Sequence, residues 1–301
     1  MPIREFFHLI HVVDDMDEVD AWYDALFSPR CFQPKGYADF EKRWASLSMI
    51  GDFMIEVIEP SAAPEHRQAP LPKFHGRFRQ HFHSLAWYVD EPDVKPLFDR
   101  LRARGARIAK PGGGMFPDGD VDPGNTIFTH PKDTFGQIEF VGLNELWRAH
   151  DPRFTPGWSG SWWRDEHPLG IEHVSHFTTI ATDLDCARAL YEDALAGRVI
   201  HEASSADAES VFVFVGTETV VELAKPTRSG SLLARDLEQN GELPHAVTFT
   251  VRDLDAAERH VEKVGVGIAD RSGDAFTLDP ADCFNAVYSF TDRVIPGDTR
   301  A

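Results

Sequence analysis

Four stretches of the chain share one order of apolar and polar positions. Each is a short apolar strand, then an aspartate, then apolar residues at helical spacing. They run FFHLIHVVDDMDEVDAWYDALF from Phe6, HSLAWYVDEPDVKPLFDRLRARG from His83, HFTTIATDLDCARALYEDALAG from His176, and HAVTFTVRDLDAAERHVEKVG from His245. Aspartate at a strand end is a natural helix N-cap, which gives Asp15, Asp90 or Asp93, Asp183 and Asp253 that role. Leu97 with Leu101, and Leu184 with Ala187, Leu190 and Tyr191, supply the buried faces of the helices that follow. Each helix leads into β-rich sequence: RWASLSMIG and DFMIEVIEP, TIFTHP and GQIEFVG, SVFVFVG and TVVELAKP, then AVYSFTD. Gly51-Asp52 and Gly216-Thr217 fall where hairpin turns belong.

The pattern predicts a βαβββ unit written four times, an α+β chain. A segment rich in Trp, Pro and Gly interrupts it from Trp147 to Gly170. The expected organisation is an N-terminal domain of two units over 1–146, a linker over 147–170 and a C-terminal domain of two units over 171–301. The linker holds too many tryptophans for a free tether, so it packs on a domain surface. Two such units side by side make a cupped mixed sheet, and a cup is where a ligand binds.

Composition narrows the partners. Asp and Glu number 49 against 30 Lys and Arg, a formal charge of −19. Neutralising nucleic-acid phosphates takes clustered Lys and Arg, so nucleic acid is excluded as a partner, and an anionic membrane surface fits poorly. No apolar run reaches transmembrane length. The three cysteines, Cys31, Cys186 and Cys283, stand far apart with no CxxC, so a reducing, cytoplasmic protein without a disulfide framework is expected.

Chemistry concentrates on the strands. His8 opens the first strand of unit one, seven residues before Asp15, and Glu56 lies in its last strand. His83 opens the first strand of unit two, seven before Asp90, and Glu139 lies in its last. Ionisable groups inside apolar strands are costly to bury unless something pairs them. A divalent cation does so, since imidazole and carboxylate suit zinc, iron, nickel, cobalt or manganese. Glu59, two residues beyond Glu56, competes with it for the same role.

The fourfold grammar, with His in strand one and Glu in strand four, resembles the vicinal oxygen chelate superfamily. That group includes glyoxalase I, methylmalonyl-CoA epimerase, extradiol dioxygenases and bleomycin-resistance proteins. The resemblance covers the chain apart from the linker and is carried by FHLIHVVDDMDEVDAWYDALF, GRFRQHFHSLAWYVDEPD, HPKDTFGQIEF and HFTTIATDLDCARALYEDAL. It implies two glyoxalase-type domains and one divalent transition metal held by His8, Glu56, His83 and Glu139. Counted back from Val89, Ser84 rather than His83 matches His8, and a β-bulge restores His83 to the inner face. In the second half His176 and Glu222 match, His245 offers a third ligand, and Tyr288 or Ser289 stands in the place of Glu139.

The resemblance implies an isomerase, epimerase or lyase acting on a small oxygenated substrate. The metal would stabilise an enolate, with Glu139 or Glu56 moving the proton. Two alternatives stay open. One is a ring-cleaving dioxygenase using His8, His83 and Glu139, although extradiol enzymes usually keep their metal in the C-terminal half. The other is a non-catalytic small-molecule binding or resistance protein on the same fold. Arg67, Lys73, Arg77 and Arg79 form a basic island that reads as a solvated connector or as capture of an anionic substrate tail, the latter through Arg77 and Arg79. Trp87 and Tyr88, with Trp44 and Phe53, are candidates to line the cup or to fill the core. The loop KPGGGMFPDGDVDPGN reads as a polar loop with glycines enough for a lid, and its aspartates do not complete a calcium loop. The N-terminal units either close one cup within the chain or exchange with a second chain in a homodimer.

Overall fold

The computed structural model describes residues 3–300. Unit one runs β1 (Ile3–Val12), α1 (Met16–Phe27), β2 (Arg30–Ala38), β3 (Arg43–Ile50) and β4 (Phe53–Pro60). A further helix, α2 (Pro70–Phe78), leads into unit two: β5 (His81–Asp90), α3 (Val94–Ala103), β6 (Ile108–Ala109), β7 (Thr126–Thr129) and β8 (Gln137–Leu143). The tryptophan-rich segment carries α4 (Glu145–His150) and α5 (Ser161–Asp165). Unit three is β9 (Ile171–Ile180), α6 (Leu184–Ala189), β10 (Arg198–Ser204), β11 (Ala208–Val215) and β12 (Thr219–Pro226). After α7 (Leu232–Asn240), unit four is β13 (Pro244–Val251), α8 (Leu254–Val264), β14 (Ile268–Ser272), β15 (Ala275–Leu278) and β16 (Val287–Thr291).

Capping explains where the unit helices start. The carboxylates of Asp15, Asp183 and Asp253 accept backbone N–H bonds from the first turns of α1, α6 and α8. Asp90 and Asp93 make no such bond, and there a single 3-10 turn precedes α3. Gly51 and Gly216 adopt positive φ at the two hairpin tips, as their turns require.

Each half forms one eight-stranded sheet, ordered β2-β3-β4-β1-β5-β8-β7-β6 and β10-β11-β12-β9-β13-β16-β15-β14. Within each unit the first and last strands pair in parallel, at β1–β4, β5–β8, β9–β12 and β13–β16, and the two units of a half meet antiparallel at β1–β5 or β9–β13. The two sheets turn their helix-bearing faces toward each other, and one apolar core runs through both. Phe6 stacks on Phe177 at 4.2 Å across it, and Trp87 donates to the Thr219 hydroxyl at 3.2 Å.

The tryptophan-rich segment packs on this body. Buried Trp163 donates to the Phe27 carbonyl at 2.9 Å, and Trp147 meets Phe7 edge-on at 5.0 Å. No helix among the described residues is long and apolar enough to cross a membrane. None of the three cysteines is in a disulfide.

Candidate functional site

The concave face of the first sheet holds a cavity of about 420 Å³. Its wall is largely apolar, including Phe7, Ile10, Leu47, Ile58, Phe128 and Trp147. The polar side chains His8, Glu41, Arg43, Glu56, His83 and Glu139 converge on the same space. Tyr37 and Phe40 stand at the rim, Phe40 63% exposed. Lys110–Gly113 form the facing wall, where a Cβ on Gly112 would press the Phe40 carbonyl oxygen at 3.1 Å.

Strand irregularities aim the two histidines. Between Phe6 and Leu9 strand β1 carries one residue more than β5, so consecutive Phe7 and His8 both face the cavity. Between Phe82 and Leu85 the extra residue is on β5, and there His83 reaches the cavity although the ladder position matching His8 is Ser84. The expected bulge is present. Phe74 of α2 meets the His83 ring edge-on at 4.5 Å.

His8 is the hub. Its Nε2 lies 3.3 Å from Glu56 Oε2 and 3.2 Å from Glu139 Oε2, and all three residues are buried. The other Glu56 oxygen accepts from Arg43 at 2.7 Å, and Arg43 Nε donates to Glu41 at 2.6 Å. Burial works against the Arg43 charge, but Glu56 and Glu41 more than offset it and raise its pKa. Burial pushes the Glu41 carboxyl up, with Glu139 and Glu56 adding to the effect. His83 is pushed down to about 3 by burial and by the positive charge of Arg43, so it is a neutral imidazole. Its Nδ1 lies 3.1 Å from the Ser84 hydroxyl, and it makes no ion pair with either glutamate.

These donors suit a divalent cation in kind: one imidazole nitrogen and two carboxylates, with three carboxylates in the cavity against one arginine. Their arrangement is open. Among the described residues no group of three or more His, Cys, Asp or Glu forms a metal cage. His8 stands between the glutamates and His83 stands apart. The two carboxylates accept from His8 Nε2, while Nδ1 is buried without a partner, so no second group orients the ring from its far side.

Other expected site residues lie elsewhere. Trp87 is fully buried on the opposite face, edge-on to Phe6, because strand alternation sends it into the shared core. Tyr88 sits beneath the cavity floor and donates to Asp151 at 3.2 Å. Arg77 lies over Phe78 and Arg79 pairs with Asp14, so neither reaches the cavity; the island reads as a connector. Glu59 accepts from the Met16 backbone and is spent outside the site. Asp118 and Asp120 pair with Arg102 and Lys95, which explains the loop as a polar surface.

Sequence pattern alone does not single out Glu41, Arg43 or Trp147. Arg43 and Glu41 carried a weak signal, an Arg opening a strand and an acid two residues before it. Trp147 fell in the segment read as linker.

In the second half His176 lies 3.5 Å from Glu222. Glu222 also accepts from Thr178 at 2.6 Å and Ser210 at 2.7 Å. Burial opposes its charge, but His176 and these hydroxyls hold it down at about 2. His245 does not join them. Its Nδ1 lies 2.5 Å from Asp236, whose other oxygen lies 2.9 Å from His81 Nε2, so it belongs to a buried cluster between the halves.

No protein-family model matches the chain, and no curated protein matches it in sequence. Among solved structures, a triple mutant of 4-hydroxymandelate synthase from Streptomyces coelicolor aligns over 98% of this chain and 95% of its own, with TM-score 0.66 at 16% identity. Methylmalonyl-CoA epimerase from Mycobacterium tuberculosis aligns over 44% of this chain and 93% of its own, with TM-score 0.39 at 22% identity. The chain has the vicinal oxygen chelate fold, in the two-sheet form that its fourfold repeat predicts.

Proposed function

We propose that the first-sheet cavity is the active site of a divalent-metal-dependent enzyme that moves a proton on a small oxygenated substrate, as an isomerase, epimerase or lyase. The observation that carries the proposal is His8 Nε2 set between one oxygen of Glu56 and one of Glu139 at the wall of an apolar cavity. His8, Glu56 and Glu139 would hold the ion, and His83 offers a neutral nitrogen on the same wall. When bound, the ion supplies Lewis-acid stabilisation of negative charge developing on substrate oxygen.

The residues divide the remaining work. Arg43 fixes Glu56 through its second oxygen, so Glu56 is the anchored carboxylate. Glu139 is tied to His8 alone, so it is the freer of the two and the one assigned to take and return the proton at the adjacent carbon. Phe7, Leu47, Phe128 and Trp147 exclude water and hold the apolar body of the substrate. Lys110–Gly113 and Phe40 form the side through which the substrate enters.

Solvent deuterium exchange at the carbon next to a carbonyl, followed by NMR across a panel of 2-oxo acids, hydroxyketones and acyl thioesters with added Co²⁺ or Ni²⁺, tests this. Exchange that disappears in Glu139→Gln supports it, and full exchange in Glu139→Gln removes the assignment. A second reading, oxidative opening of an aromatic diol, draws on the ring-lined wall of Phe7, Tyr37, Phe40, Phe128 and Trp147. Oxygen uptake with a catechol and Fe²⁺ would decide for it.

A further inference from the structure

The bulge that turns His8 into the cavity leaves backbone carbonyls outside the strand ladder, and buried carbonyls need partners. Arg153, in the segment between the halves, supplies them. Its Nη1 donates to the Phe6 carbonyl at 2.5 Å and its Nη2 reaches toward the Phe7 carbonyl at 3.4 Å. Its remaining edge is held by fully buried Asp151, through Nε at 3.0 Å and Nη2 at 2.6 Å. Asp151 in turn accepts from Tyr88, which stacks on Phe7 at 4.5 Å. The guanidinium therefore grips both carbonyls immediately before His8, and its counter-ion is locked to the ring that packs on Phe7.

The same device occurs again. In the second half Arg300 donates to the Val174 carbonyl at 3.0 Å and the Ser175 carbonyl at 2.6 Å, immediately before His176, and Asp298 holds it at 2.7 Å. Each sheet is thus closed by an Asp-x-Arg returning from beyond its last strand onto the bulge of its first. The two clamps meet at one hairpin tip: the Glu218 backbone carbonyl accepts from Arg300 at 2.6 Å, and its carboxylate lies 3.8 Å from Arg153.

We infer that Arg153 is a positioning residue for His8: by fixing the bulge carbonyls of β1 it aims the imidazole at Glu56 and Glu139, while Arg300 is its twin beside His176. The inference rests on the reading of the cavity as a metal centre, and Arg300 supplies its control. Co²⁺ is titrated into wild type, Arg153→Ala, Arg153→Lys and Arg300→Ala, read by the visible cobalt bands. In parallel, ¹⁵N NMR reads the His8 ring without metal, and thermal unfolding reads the fold.

Arg153→Ala should weaken Co²⁺ binding by about 10- to 100-fold, the range for groups that orient a ligand. Arg153→Lys should fall between it and wild type, and keeps the question answerable if the alanine variant fails to fold. Arg300→Ala should leave Co²⁺ binding unchanged while lowering the melting temperature as much as Arg153→Ala does. Wild-type affinity in Arg153→Ala, or an equal loss in Arg300→Ala, overturns the inference. If wild type takes no Co²⁺, the metal reading falls, and the inference is judged on the His8 ring signals, which must shift in Arg153→Ala and hold in Arg300→Ala.

Discussion

The two halves of the chain carry the same eight-strand plan, and a few register positions make them chemically different. Glu139 lies opposite Ala86 and Phe128 in the first sheet. Its counterpart in the second is Ser289, opposite Thr248 and Thr277, and its hydroxyl lies 2.8 Å from that of Thr277. Glu56 and Glu222 also correspond, but their surroundings are exchanged. Thr178 and Ser210 bond Glu222, where Ile10 and Ala45 flank Glu56. Arg43, which pairs with Glu56, faces Pro60 across the ladder as Ala208 faces Pro226. One half satisfies its His–Glu pair with neutral hydroxyls and is complete. The other adds two carboxylates and an arginine beside an apolar cavity, and is chemically open. A duplicated fold thus holds one face with an unsettled cluster of charges and one whose charges are satisfied, and the difference lies in side chains rather than in topology.

Making the first half resemble the second should have the largest effect. Glu139→Ser should weaken divalent-cation binding by about 100-fold or more, because a carboxylate ligand is lost outright. Calorimetric titration with Co²⁺ or Ni²⁺ reads it, and affinity near wild type would show that Glu139 is not a ligand. Arg43→Ala should destabilise the protein by about 3–5 kcal/mol, since it leaves Glu56 and Glu41 buried without their counter-ion. Urea unfolding measures that. A loss under 1 kcal/mol would mean that the carboxyls relax by taking up protons.

The cluster joining the halves should respond to pH. His81 Nδ1 donates to the Phe82 carbonyl at 2.7 Å and Nε2 donates to Asp236, so both nitrogens carry protons. Burial opposes that charge, but the bond to Asp236 raises the His81 pKa above its ordinary 6.5. Its stabilisation is therefore complete below pH 6.5 and fades as pH rises through the folded value. Burial also opposes the Asp236 charge, but the bonds from His245 and His81 lower its pKa below the ordinary 3.8. Its contribution is complete above 3.8 and fades only as acid approaches the folded value. Asp236→Asn should cost about 3 kcal/mol near pH 6 and flatten the decline of melting temperature on the alkaline side. An unchanged alkaline slope in that variant would remove His81 from the explanation. The smallest effect is expected in the settled half. Ser210→Ala takes one of the bonds to Glu222 and should cost about 1–2 kcal/mol without altering cation binding.

Much of this was legible in the sequence because strand period, helix period and N-cap aspartates agree in all four units. His8, Glu56 and Glu139 stood out as charges inside apolar strands. Trp87 is a large aromatic beside site residues in the sequence, yet alternation sends it to the other face. His83 needed a bulge, which changes alternation without leaving a residue signature. Arg43, Glu41 and Trp147 reach the cavity only through tertiary packing. Arg77 and Arg79 formed a charge cluster in sequence that the fold spends on α2 and on Asp14. His245 matched His83 in the repeat, yet a partner from α7 claimed it.

Metal content by elemental mass spectrometry, on wild type beside His8→Ala and its twin His176→Ala, decides whether the first-sheet cavity is a metal centre. One equivalent of a divalent transition metal is expected in wild type and in His176→Ala, and none in His8→Ala. Metal retained in His8→Ala, or lost equally in both variants, would contradict that assignment.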